Sequence, residues 1–320
     1  MKDRFAFLIL AYNQENYIQQ TLNSIKYQVE NYGKNVRVRL VIGDDCSADS
    51  TVKVAKRWIQ DNIHIFEQAY VIEHSKNVGT VENFVSLMDE LEIGEAFAVL
   101  AADDLFSNEN VIGTITEMKD DVILSFPYIQ LIGDTVSYNT KYLRNYFYKV
   151  NTYNKKKNIR RFMMGNYLHS PSTFYSKKIF DESKCRNIVG KYRLFEDDPS
   201  MYEILKHCNG GNIAFGETPL VIYRTEVGVS NSPNVTFEKD YETLQNQYIS
   251  DARGLMKMYC NMKKGHRKKI TFLKIINKLF KIRDYIYAEI ILRKQYTSFK
   301  QKVAQCVREN QFFYETMKDY

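Results

Sequence analysis

Residues 36–58 read VRVRLVIGDDCSADSTVKVAKRW. The first part alternates and then runs apolar to Ile42, the pattern of a strand that becomes fully buried, and Gly43-Asp44-Asp45 stops it. A helical stretch follows over Thr51–Trp58, with Asp49 just ahead of it to cap its first turn. A strand that ends in carboxylates and hands over to a helix is the repeating half of an α/β fold.

The same alternation extends in both directions. Upstream, Phe5–Leu10 is a continuous apolar run, and Ile18–Tyr27 has helical spacing through Ile18, Leu22 and Ile25. Downstream come a short strand at Tyr70–Ile72, a helix at Val81–Leu91 and a buried-strand run at Ala96–Ala101. This order predicts an α/β fold, a mostly parallel sheet with helices on both faces. Such sheets hold ligands at the C-terminal ends of their strands. Asp44-Asp45, Asn77-Val78-Gly79 and Asp103-Asp104 each follow a strand, so they are expected to form the rim of a site. A turn-forming role for the Asp103-Asp104 pair is the plain alternative.

Val122–Ile132 reads as a further strand central to the sheet. Tyr138–Arg161, rich in tyrosine and carrying Lys155-Lys156-Lys157 and Arg160-Arg161, reads as a mobile basic loop. Ser172–Tyr175, Pro199–Cys208, Asn212–Phe215 and Leu220–Arg224 complete the domain. After Ser230-Asn231-Ser232-Pro233-Asn234 the strand signals stop, and Ile270–Leu292 has helical spacing through Leu273, Ile276 and Leu279 or Phe280. A boundary near residue 232 divides the chain into a domain at 1–231 and a basic helical region at 232–320.

Composition narrows the class. With 320 residues and 44% hydrophobic side chains the chain can bury a large core, which argues against disorder. Five scattered cysteines without a CxxC pair argue against a disulfide framework or a zinc site and fit a reducing compartment. No stretch approaches the roughly 18 apolar residues of a membrane span, and Met1–Tyr12 is too short for a signal peptide. The expected location is cytoplasmic, with peripheral attachment to the cytoplasmic face of the membrane left open. The net charge of +7 is concentrated in 155–161 and 257–302, which suits a local anionic partner rather than nucleic acid.

Leu8-Ile9-Leu10-Ala11-Tyr12-Asn13, with Tyr17, Leu22 and Ser24-Ile25, resembles the opening of family-2 glycosyltransferases of GT-A fold. Ile42–Thr51 is similar to that family's DDxSxDxT segment. Asn77-Val78-Gly79, Ala101-Ala102-Asp103-Asp104, Glu196-Asp197-Asp198 and Pro219–Arg224 follow in the family's order, so the resemblance covers Phe5 to Asn231. It implies a GT-A domain that transfers a sugar, with inversion, from a nucleoside-diphosphate sugar to a hydroxyl. The acceptor it implies is a glycan or a lipid-linked molecule of bacterial surface-polysaccharide assembly.

The chemistry of the residues agrees with that implication. A leaving diphosphate gathers negative charge that a hard cation, Mn²⁺ or Mg²⁺, neutralises, and such cations take oxygen ligands. By the resemblance Asp104 is the direct ligand, with Asp103 turned to the ribose or to the cation's outer sphere. Asp45 matches the position that accepts the imide N–H of uracil or thymine, which implies a UDP- or dTDP-linked donor. Ala11, Tyr12, Asn13, Asn77 and Gly79 complete the donor side. Asp197 matches the catalytic base and Glu196 orients the site, while Asp198 before Pro199 is placed to cap a helix. His169, Ser172 and Arg224 fall on the acceptor side, although Arg224 could equally pair with a phosphate or a structural carboxylate. Glu226 stands where the family often has a histidine.

The basic helical region suits either a seat on an anionic membrane surface or packing on the domain with solvated lysines. Other classes are a nucleotidyltransferase, disfavoured because the first strand ends in Ala11-Tyr12-Asn13-Gln14 without a glycine-rich loop, and a sugar-nucleotide-binding protein without activity. The latter has no need of Asp197. A nucleic-acid module lacks any recognition motif.

Overall fold

The computed structural model describes residues 2–227, 234–264 and 271–318, with side chains of the last stretch from 278 onward. Ser230–Pro233 and the predicted boundary near residue 232 lie outside the described residues, as do Ile270 and the side chains of Leu273 and Ile276.

The first half builds β1 (Arg4–Ala11), α1 (Ile18–Tyr32), β2 (Arg37–Asp44), α2 (Thr51–Asn62), β3 (Gln68–Glu73), α3 (Thr80–Asp89) and β4 (Ala96–Ala101). The four strands form one parallel sheet in the order β3-β2-β1-β4. Side chains of a strand alternate between faces, and β1 divides accordingly. Phe5, Phe7 and Ile9 join Val38, Leu40 and Ile42 in one core with α1 and α2, while Ala6 and Leu8 join Val41 and α3 in another. Helices therefore cover both faces, as the continuous apolar runs predict. The register sets Ala11 beside Asp44 and Leu10 beside Ala101, so the acidic turns after β2 and β4 open on one edge.

The chain then continues through β5 (Leu105–Phe106), α4 (Val111–Thr116), β6 (Ile123–Ser125), β7 (Ile129–Ile132), β8 (Thr135–Ser137), α5 (Thr140–Asn151) and α6 (Lys155–Met164). Next come β9 (Thr173–Phe174), α7 (Lys177–Glu182), α8 (Asp197–His207), β10 (Ile213–Phe215) and β11 (Val221–Arg224).

Two expectations change here. Val122–Ile132 is not one central strand: Phe126-Pro127-Tyr128 break it, β6 joins the sheet β10-β6-β9, and β7 joins β5-β11-β7-β8. Proline cannot donate to a strand ladder, which accounts for the break. Tyr138–Arg161 is not a loop but two helices. Asn139 and Asn154 accept backbone N–H groups at their starts, and Leu143, Tyr146, Phe147 and Phe162 are buried. Lys155, Lys156, Lys157 and Arg160 occupy the exposed side of α6.

The rest is helical among the described residues: α9 (Val235–Asp251), α10 (Leu255–Lys264), α11 (Thr271–Tyr285), a π-helical turn at Ile286–Ile291, and α12 (Arg293–Met317). None of these is long and apolar enough to cross a membrane. Leu244 and Tyr248 of α9 enter the same core as Ala6 and Leu8. Tyr296, Phe299, Val303 and Phe313 of α12 pack with Leu105, Ile129, Leu131 and Ile222. Much of the tail's apolar surface is thus spent on the α/β domain, and Asn23 Nδ2 donates to Met317 O at 2.8 Å to fix the last turn.

Candidate active site

At the strand edge the first two turns brace each other. Asn13, at φ +52°, accepts Ala48 N–H on its side chain, while its own N–H donates to Ser47 Oγ at 2.9 Å. Asp44 is spent on its own turn, accepting Ser47 N–H and the Ser47 hydroxyl. Asp49 is not the cap expected of it, since Ser50 holds that position without a side-chain bond; from one residue further out it accepts Thr51 N–H and Glu15 N–H. Asp45 points the other way: its carboxylate accepts Val78 N–H at 2.5 Å and Gly79 N–H at 2.9 Å. Burial pushes its carboxyl up from the usual range, and those two amides pull it back.

The turn after β4 is held as tightly. Thr21 Oγ1 donates to the carbonyls of Ala102 and Asp104. Arg224 N–H donates to Asp104 Oδ1 at 2.8 Å, Arg224 Nε donates to Asp103 O at 2.9 Å, and its guanidinium reaches Gln20 Oε1 while lying over the Tyr17 ring. Both carboxyls are buried. Burial raises the proton affinity of Asp103; burial and then the charge of Asp103 raise that of Asp104 much further. Two like charges held in a dry corner favour a proton or a cation beside them.

Glu196 and Asp197 stand at the start of α8. Burial raises both carboxyls, Glu196 the more strongly because the charge of Asp197 adds to it. Asp198, expected to cap α8, does not: the helix begins at Asp197, Glu196 holds the cap position without a side-chain bond, and Asp198 lies in the first turn. Its carboxylate accepts Asn166 Nδ2–H instead, and burial and then Asp197 push it up to about 7. Pro199 falls at the third helical position, where an N–H has no intrahelical partner to lose.

These groups meet across two abutting cavities. One, of about 370 Å³, is lined by Ala11, Tyr12, Asp45, Asn77, Asp103 and Glu196, among others. The other, of about 350 Å³, is lined by Asp103, Asp104, His169, Glu196, Asp197 and Tyr223, among others. Asp103 and Glu196 belong to both. Gly79 and Asn13, both expected on the donor side, line neither cavity. Ser172 is fully buried with its hydroxyl on Phe126 O, so Ser170 and Pro171 line the second cavity in its place. Arg224 lies beneath the Asp103-Asp104 turn rather than in the cleft. Glu226 accepts Gly133 N–H at the β7–β8 turn. Among the described residues no cluster of three or more Asp, Glu, His or Cys is arranged to hold a metal, so a cation there would rest on Asp103, Asp104 and a ligand's own oxygens.

Tyr223 belongs to the Pro219–Arg224 segment, but other groups in or near the cleft gave no sign in the sequence. Tyr128, which lines neither cavity, stacks on His169 at 3.8 Å, and Tyr223 meets the same ring edge-on at 4.8 Å. Burial holds the His169 imidazole neutral, its pKa down to about 3, and leaves Nδ1 without a partner. Arg193 and Leu194 line the first cavity, and Phe195 and Phe237 the second. Their only signal is spatial.

The fold has solved relatives. The S. aureus TarS 1–349 crystal structure in complex with UDP-GlcNAc superposes with a TM-score of 0.56 at 16% identity, covering 98% of this chain and 91% of that one. Against the longer TarS structure the score is 0.53 at 14% identity, with 82% of this chain covered but only 43% of that one. Mannosyltransferase PcManGT from Pyrobaculum calidifontis, in complex with GDP-Man and Mn²⁺, gives 0.50 at 12% identity over 97% and 87% of the two chains. Comparison with the curated proteins returns no match. The sequence profile described as Glycosyl transferase family 2 matches residues 6–183, more than half of the chain, and the chain therefore belongs to that family of glycosyltransferases.

Proposed function

We propose that the chain transfers a sugar from a UDP- or dTDP-linked donor to a hydroxyl of a glycan or lipid-linked acceptor, with inversion at the anomeric carbon. The supporting observation is the pair of cavities joined through Asp103 and Glu196, with Asp45 in one and Asp104 and Asp197 in the other. The UDP-GlcNAc and GDP-Man complexes of the structural relatives support a nucleotide sugar as the donor class.

Asp45, fixed by two backbone amides, keeps lone pairs to accept an imide N–H of the base. Tyr12 at the rim offers a ring face. In the second cavity Asp197 removes the proton of the acceptor hydroxyl as that oxygen bonds to the anomeric carbon and the bond to phosphate breaks on the opposite face. One such displacement inverts the centre. Burial strengthens Asp197 as a base, and Glu196, beside it in the same cavity, orients the site.

Asp103 and Asp104 fit Mn²⁺ or Mg²⁺: they are two buried carboxylates, and the Arg224 amide takes only one oxygen of Asp104. When bound, the cation supplies charge neutralisation for the leaving diphosphate. A thermal-shift panel of sugar nucleotides with and without Mn²⁺ tests the assignment, because a ligand of the native state raises stability. A metal-dependent shift with UDP- or dTDP-sugars is expected. No shift overturns it, and pyrophosphate release from a triphosphate favours a nucleotidyltransferase in its place.

Peripheral attachment at the cytoplasmic face, as in assembly of a bacterial surface polysaccharide, has its own support. Leu279, Ile282, Ile286, Ile290 and Ile291 are exposed along α11 and the π turn, interleaved with exposed Lys278, Lys281, Arg293 and Lys294. Apolar residues flanked by cations suit an anionic lipid surface. Ile286→Glu with Ile290→Glu should abolish sedimentation with phosphatidylglycerol vesicles; unchanged sedimentation removes this face as the seat.

A further inference from the structure

The wall of the cleft facing the sheet is the segment 193–195, and a residue far along the chain sets its shape. The N–H groups of Arg193, Leu194 and Phe195 all donate to one oxygen, Asp240 Oδ2, at 2.8, 2.6 and 3.2 Å. Asp240 is buried on α9, whose Phe237 packs on Phe195 with ring centroids 5.0 Å apart. Successive amides converging on one anion make a nest, a rigid arrangement that opens when the anion is removed.

Contacts leave this nest in two directions. Arg193 O accepts Val81 N–H at 3.1 Å, and Arg193 Nη2 donates to both the carbonyl and the side-chain oxygen of Asn77. Asn77 leads directly into Val78 and Gly79, whose amides hold Asp45. In the other direction Phe195 runs straight into Glu196 and Asp197. Donor pocket and base are therefore joined through three residues whose amides end on Asp240.

We propose that Asp240 is a positioning residue for transfer, keeping the Asn77–Gly79 loop and the Glu196-Asp197 pair in mutual register. It lines neither cavity and acts only through 193–195. The inference rests on the roles assigned above to Asp45 and Asp197.

Hydrogen–deuterium exchange on the full chain tests it, with Asp251→Ala as the control. Asp251 makes a separate α9–α8 contact, accepting from Tyr202 Oη and Lys206 Nζ at 3.0 Å each. Asp240→Ala should speed exchange at least about tenfold at residues 78–81 as well as at 193–197, because losing shared acceptors opens the segment locally. Asp240→Asn, which keeps an oxygen acceptor, should restore slow exchange in both segments, and Asp251→Ala should leave both unchanged. UDP affinity with Mn²⁺ should fall in Asp240→Ala but not in Asp251→Ala. Where the alanine variant does not fold, Asp240→Glu, which displaces the carboxylate, should loosen the same two segments. Unchanged exchange at 78–81, or equal loosening in the Asp251 variant, overturns the proposal. Absence of UDP binding in the wild-type chain overturns the uridine assignment instead, while the exchange data still decide the clamp.

Discussion

Asp197→Asn separates catalysis from stability, and the structure gives both magnitudes. A positioned general base contributes about 10²–10⁴-fold, so release of nucleoside diphosphate should fall by that factor while donor affinity stays unchanged. Stability should move the other way. Asp198 is pushed from 3.8 to about 7, a difference of roughly 4 kcal/mol at 1.36 kcal/mol per unit. Burial is the larger cause and the charge of Asp197 the second, so removing that charge relieves the smaller part of this and should raise Tm. The pH dependence has a definite sign. A carboxyl whose folded pKa is raised holds its proton longer in the native state, so its contribution falls as pH rises from the unfolded value near 4 to about 7. Asp197→Asn should flatten that decline in Tm. Undiminished turnover refutes the base; an unchanged or lowered Tm at pH 7 refutes the electrostatic reading of the triplet.

Gly79→Ala should cost about 1–3 kcal/mol, because Gly79 sits at φ +92°, a conformation that side-chain-bearing residues rarely adopt, and a Cβ there would lie 2.5 Å from Arg193 O. Chemical denaturation measures the loss, and wild-type stability in the variant would contradict the close approach. Asp104→Ala should remove the Mn²⁺ dependence of UDP binding by calorimetry; equal enhancement by Mn²⁺ in both proteins would displace the cation from this turn. Tyr128→Ala, which strips the ring stacked on His169, should weaken acceptor use more than donor binding by releasing that imidazole, and a purely donor-side defect would remove His169 from the acceptor side.

The parallel sheet was legible because its strands are buried on both faces and leave unbroken apolar runs such as Phe5–Leu10, and because acidic turns at their ends are costly without a task. The pair α5–α6 was not. Its buried positions, Leu143, Tyr146 and Phe147, keep helical spacing, but tyrosine reads as polar in a stretch full of lysine. The role of Asp198 was misread because a proline after an aspartate signals a cap at the first helical position, and α8 starts two residues earlier than that signal places it. Asp240 could not have been found: its partners are three backbone amides, which every residue but proline carries, so no side-chain pattern marks it.

The carboxylate Asp104 receives its backbone tether from Arg224, 120 positions later in the chain. On a ribosome adding roughly 5–20 residues per second, that partner emerges some ~6–24 s after Asp104 itself. A nascent chain thus carries the acidic turn, with Thr21 already on its carbonyls, well before the amide that tethers the Asp104 carboxylate, and Asp240 follows later still. The active centre matures only after the parallel sheet it stands on has been made and has had time to assemble.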